Sequence, residues 1–207
     1  MKYVAVLVVV ISGLLLGACT PRNTHFGEPV PADISANWRL AGVKVIVPET
    51  LTLSERDTYA PEADIVWHGD PLLPGTTRQQ QIAAIVKSGI TDAAKRLHGS
   101  RPVILQATVT QFHAITPVAR ESIGGMHNVD FTLNVLDART GALIIGPVTI
   151  EADEVALSGA EAYAAADRGE TQKVRIRNRI FRVVATWLGV AGEGEQVVQG
   201  SAYGVGR

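Results

Sequence analysis

Cys19 is the only cysteine among 207 residues, so the chain can close no disulfide on itself and its thiol is available only as a nucleophile or an acyl acceptor. The other residues able to do chemistry are scattered. His25, His68, His98, His113 and His127 show no zinc-type spacing and no second thiol joins them, so no metal ligand set is expected. The best acid–base constellation is His113 with His127 and Asp130, which a hairpin around residues 116–125 could bring together. A strand histidine beside a loop is ordinarily surface. Ser122 falls short of a Gly-x-Ser-x-Gly nucleophile elbow, because Arg120 stands at the leading glycine position and the elbow also needs a strand-to-helix turn. Gly124-Gly125 precedes no helix that could present amides to a phosphate. Glu62, Asp64 and Asp70 read as solvated loop carboxylates. No catalytic residue is assigned.

A second group is basic. Lys173, Arg175, Arg177, Arg179 and Arg182 crowd one stretch, and Arg175, Arg179 and Arg182 share one side of a helix. Either that side is a solvated polar face, or it meets an anionic partner such as lipid headgroups, lipopolysaccharide cores or an acidic protein surface. The whole chain carries a formal charge of −1, which supplies no bias toward nucleic acid.

The pattern around Cys19 is sharper. Lys2, an apolar run from Val4 to Leu16 and then Gly17-Ala18-Cys19 follow one another. The run is shorter than the ~20 residues of a membrane-crossing helix and stops at Thr20-Pro21-Arg22. An ordinary secretory signal also ends in small residues, but it does not call for cysteine next. Leu16-Gly17-Ala18-Cys19 resembles the lipobox of bacterial lipoproteins. That resemblance implies removal of the signal peptide 1–18, a diacylglycerol carrying chains such as palmitate on the Cys19 sulfur, acylation of the new amine, and no further cofactor. At ~0.8 kcal/mol per buried methylene, three chains make the anchor permanent. Thr20 stands where aspartate would resemble an inner-membrane retention signal. The expectation is therefore the periplasmic face of the outer membrane.

The elements that position these residues can be read from periodicity. Residues 19–39 carry Pro21, Pro29 and Pro31 with little apolar order and read as the lipidated cysteine and an extended tether. A single domain is expected over 40–188, followed by a flexible Gly-rich tail, 189–207. Alternating valines from Ala41 to Val47 predict a strand that Pro48 ends. A long proline-rich loop at 49–76 is interrupted by an apolar stretch at 63–67 that reads as a short edge strand. Apolar residues at helical spacing predict a helix over 77–97, with Gly89 and Ala93 letting it approach a sheet closely. Strict alternation predicts strands over 102–115, 127–137 and 142–153, the last two joined by an Asp137-to-Gly141 turn. A short helix at 158–166 and a longer one at 171–188 follow, Arg177 projecting into the apolar arc of the latter.

The order strand, helix, three-strand meander, helix, with the phrase Val135-Leu136-Asp137-Ala138-Arg139-Thr140-Gly141-Ala142-Leu143-Ile144, resembles a class of envelope lipoproteins. The class includes uncharacterised alphaproteobacterial outer-membrane lipoproteins and, more distantly, domains similar to the amino-terminal domain of TolB and to curli-secretion lipoproteins. The resemblance covers about residues 40–188, departs from the class at 49–76, and implies a noncatalytic scaffold that binds envelope proteins. The expectation is an α+β fold, a small antiparallel sheet with helices packed on one face, serving as a binding or assembly factor in the envelope. The competing reading is a small-molecule or glycan-binding domain, with hydrolytic activity in one version. Its pocket would lie between 49–76 and 116–125, where a deep cavity with converging His113, His127 or Asp64 would favour it.

Overall fold

Two long alternating strands form the spine of the molecule. In the computed structural model, which describes residues 24–200, Val103, Leu105, Ala107 and Val109 are buried on one face of one strand, and Val129, Phe131, Leu133 and Val135 on the matching face of its antiparallel neighbour. The elements in chain order are β1 Thr24–His25, α1 Ala32–Ser35, β2 Trp38–Ile46, β3 Leu53–Ser54, β4 Ile65–Val66, α2 Arg78–Ala94, β5 Arg101–His113, α3 Pro117–Glu121, β6 Gly125–Asp137, β7 Leu143–Ala152, β8 Glu154–Ala156, α4 Gly159–Asp167 and α5 Gln172–Trp187. The fold is α+β, with an open, mostly antiparallel sheet in the order β1-β7-β6-β5-β4-β3, β2 pairing with β5 and β8 with β6.

Connection lengths decide the pairing. β6 follows β5 through one short helix and returns antiparallel, and β7 follows β6 through a tight turn. In that turn the Asp137 carboxylate accepts from the Arg139 and Thr140 amides, and Gly141 takes φ 73°. β2 and β5 are separated by a helix and are parallel, as a strand–helix–strand crossover requires. β4 is parallel to the far end of β5 and lies inside β3, so the edge expected at 63–67 falls at Leu53–Ser54 instead. β8 continues the line of β7 along β6: Asp130 faces Glu151 and His127 faces Glu154.

α2 starts at a capping box, the Thr77 hydroxyl accepting from the Gln80 amide and the Gln80 side chain from the Thr77 amide. Its apolar stripe, Ile82, Ile85, Val86 and Ile90, enters one core with Ile176, Ile180, Val183, Val184 and Trp187 of α5. Gly89 serves a different neighbour from the expected one. A Cβ there would lie 2.8 Å from Ile180 Cβ and 2.9 Å from the Arg177 carbonyl, so the close approach is of helix to helix and not of helix to sheet.

Two segments differ from the sequence reading. The stretch 24–38 is part of the domain: Phe26, Val30 and Trp38 are buried, β1 adds to β7, and the Val30 amide donates to the Trp187 carbonyl. Each such apolar side chain contributes roughly 1.5–3 kcal/mol on burial, enough to bind a segment whose prolines read as tether. The tail is likewise held as far as Gly200, with Val197 buried, Glu195 bridged to Arg96, and Gly200 paired with Thr24. The loop 49–76 is fastened as well, through Arg78, which donates from Nε and Nη2 to both oxygens of Glu55 and from Nη1 to the Asp70 carbonyl.

Candidate functional site

Of the residues singled out by chemistry, His127 and Arg175 meet at the end of the sheet where β8, α3, α4 and the start of α5 come together. The β6 alternation directs His127 inward with Val129 and Phe131, and Asn128 and Asp130 to the opposite face. His113 is paired with Asn128 across the ladder and shares that opposite face. His127 therefore does not meet His113 or Asp130; period-two alternation separates them across the sheet.

His127 is 2% exposed. Its Nδ1 accepts from the Ile115 amide at 3.4 Å and lies 3.5 Å from Gln172 Nε2. Burial, with the Arg175 guanidinium adding to it, drives its pKa down to about 3, so the ring is neutral at physiological pH. The cavity beside it, lined by Ile115, Arg120, Leu157, Glu170, Gln172 and Arg175, has about 20 Å³, room for one water. A larger cleft of about 250 Å³ adjoins it, with His68, Arg120, Gln172 and Lys173 among its walls.

Two of the three stripe arginines are engaged internally. Arg175 Nη2 donates to Glu154 Oε1 at 2.8 Å and to the Val155 carbonyl at 3.1 Å. Arg179, 5% exposed, donates from Nε to the Asp153 carbonyl at 2.8 Å and from Nη2 to the Thr24 hydroxyl, with Glu154 at 3.7 Å. Arg182 is exposed, and its Nε donates to the Glu195 carbonyl at 3.2 Å. Of Arg175, Arg179 and Arg182, the first two are thus engaged inside the fold and Arg182 alone is exposed, so the three do not present one free basic face. Arg179 lies three residues after Ile176 and four before Val183, on the buried flank, and β8 brings Glu154 against it. Lys173 is likewise paired with Asp70 at 2.8 Å, and Arg177 is half-buried with its tip on the Asn178 side chain.

The remaining candidates are apart. Ser122 donates to the Val118 carbonyl at 2.6 Å, just past the end of α3. Asp64 accepts from the Thr52 amide and hydroxyl, which lower its pKa and lock the root of the loop 49–76. His25 and His98 are exposed, on β1 and after α2. Among the described residues no group of three or more His, Cys, Asp or Glu could hold a metal ion. Leu16, Gly17, Ala18 and Cys19 lie outside the described residues. Sequence reasoning missed Glu154, which serves two arginines, and Asp153, whose carboxyl is buried and pushed up to about 6 by burial against donation from Asn128 and the Val129 amide. Asp153 lies just past β7 and Glu154 opens β8, two acidic residues in a row where the strand's alternation stops.

The model of DUF6778, a family of unknown function, matches residues 38–202. The chain belongs to that family. The match takes in the whole spine of the DUF6778 domain, from β2 to α5, and the tail beyond it. No curated protein matches the chain. Among solved structures, the PelC dodecamer from Paraburkholderia phytofirmans is similar to this DUF6778 chain at 12% identity, covering 80% of this chain and 96% of that one with a TM-score of 0.40. A protein from Caulobacter crescentus CB15, described provisionally as a lipoprotein, is similar at 21% identity over 52% of this chain and 83% of that one, with a TM-score of 0.30. No helix among the described residues of the DUF6778 chain is long and apolar enough to cross a membrane.

Proposed function

We propose that this chain is a lipoprotein anchored through Cys19 to the periplasmic face of the outer membrane, acting as a noncatalytic binding or assembly factor in the cell envelope. The observation that carries the reading is the run Leu16-Gly17-Ala18-Cys19 behind an apolar segment, in a chain with no other thiol. The acyl chains on Cys19 are the only non-protein group it calls for. Its partners are envelope proteins and the lipid itself, and no nucleic acid, in keeping with the formal charge of −1. The noncatalytic part is supported by the placement of His113 and His127 on opposite faces and by the engagement of Asp64 with Thr52, which keep those three from converging.

Crosslinking in intact cells, comparing the native protein with Cys19→Ser and reading partners by mass spectrometry, tests it. A defined envelope complex that requires Cys19 is expected. Crosslinks to nothing, or a set unchanged by Cys19→Ser, would overturn the assembly role.

A further inference from the structure

Cys19 is separated from the first described strand by only four residues, Thr20 to Asn23. Thr24 is then fixed on three sides. It pairs with Ala152 of β7 and with Gly200, and its hydroxyl accepts from Arg179, which is itself buried and tied to the Asp153 carbonyl. The Cys19 α-carbon can therefore stand no further than about 18 Å from that of Thr24, even on a fully extended chain. A domain of this size is about 40 Å across. A leash under half that width does not let the domain tumble; the side that carries Thr24 must stay against whatever surface holds Cys19.

That side has a defined composition. Next to the Thr24–Gly200 pairing lies Val198, 88% exposed and the most exposed large apolar residue among those described. Gln199, on the same strand of tail, donates to the Gly27 carbonyl, and His25 is exposed on β1. An open groove of about 480 Å³ runs beside them, with Gly27, Glu28, Pro29, Pro31, Pro147 and Val148 in its walls. Among the described residues Glu28 is the one carboxylate in that wall, and the exposed valine stands at the rim, a mixed polar–apolar composition suited to the headgroup boundary of a bilayer. We infer that the face bearing His25, Val198 and Gln199 rests on the phospholipid surface to which Cys19 is attached, fixing the orientation of the domain. β3, at the other end of the sheet order, is then held away by about 24 Å of strand spacing. The inference rests on the lipidation of Cys19 proposed above.

The test uses the full acylated protein in phosphatidylethanolamine–phosphatidylglycerol vesicles containing a headgroup-quencher lipid. Acylation blocks the native thiol, so Val198→Cys and Leu53→Cys can each be labelled uniquely with a fluorophore. The label at 198 is expected to be quenched several-fold more than the label at 53, and a flexible Gly-Ser insertion between Asn23 and Thr24 to remove the difference. Equal quenching at the two positions, in protein whose intact mass shows acyl chains on Cys19, would overturn the orientation while leaving the anchor standing. An intact mass without acyl chains would overturn the anchor, and the orientation with it.

Discussion

Gly89 of α2 lies directly against Ile180 of α5, so close that a Cβ on the glycine would be 2.8 Å from that of the isoleucine. Two helices that bury Ile85, Ile90, Val183 and Trp187 between themselves and the sheet meet at this contact.

Gly89→Ala sets two effects against each other. Helix propensity favours alanine by about 1 kcal/mol, but the methyl group meets both a side chain and the Arg177 carbonyl, and overpacking costs about 1–3 kcal/mol. The backbone carbonyl cannot move aside as a flexible side chain would, so net destabilisation is expected, read as a lower urea midpoint at unchanged slope. A raised midpoint would mean that the helices can part at no cost.

Arg179→Met is expected to cost about 1–3 kcal/mol, because the Asp153 carbonyl and the Thr24 hydroxyl lose a buried donor, while the partly buried Glu154 keeps Arg175. Arg182→Gln, which removes an exposed group resting on a carbonyl, should stay within about 0.5 kcal/mol. Equilibrium unfolding of the two variants side by side separates a structural arginine from a surface one.

The pH dependence should carry two opposed contributions. His127 titrates at about 3 in the folded protein against 6.5 ordinarily, so the stability from its neutral form is lost as pH falls from about 6.5 toward 3. Asp153 titrates at about 6 against 3.8, so the stability from its protonated form is lost as pH rises from about 3.8 through 6. The two offset each other between about pH 4.5 and 6. Asp153→Asn should unmask the histidine, and unfolding free energy should then rise with pH by about 1 kcal/mol per unit across that window, against a nearly level wild type. A level profile in the variant would remove His127 from the account.

The tail is expected to exchange slowly. The amides of Val190, Gly192 and Val197 donate to the Ala185 carbonyl, the Glu195 carboxylate and the Thr186 hydroxyl. Two donors from Arg96 and the Gly192 amide hold the Glu195 pKa down to about 2. Glu195→Gln should speed hydrogen exchange at Gly192 while leaving Val129 in the central sheet unchanged. Equal, fast exchange at all three tail amides of the native protein would restore a mobile tail.

Legibility followed the range of the interaction. The β5 and β6 alternation, the Asp137–Gly141 turn and the two long helices could be read within a few residues of their ends, because each is set by neighbours along the chain. Phe26, Val30 and Val197 gave no periodic signal. Each stands alone or beside one other apolar residue in a proline- or glycine-rich stretch, buried only because distant elements leave a space for it.

The candidate site divided the same way. By itself, the sequence determined that one thiol stands behind an apolar run, that the class is α+β, and which residues of each strand share a face. Only the tertiary structure decided that Arg175 and Arg179 of α5 are turned onto Glu154, that His127 is shut away from His113, and that the segment after Asn23 belongs to the domain. The reason is physical: periodicity specifies how a residue points from its own element, whereas its charge partner and burial depend on elements more than twenty residues away along the chain, brought beside it by sheet register and helix packing.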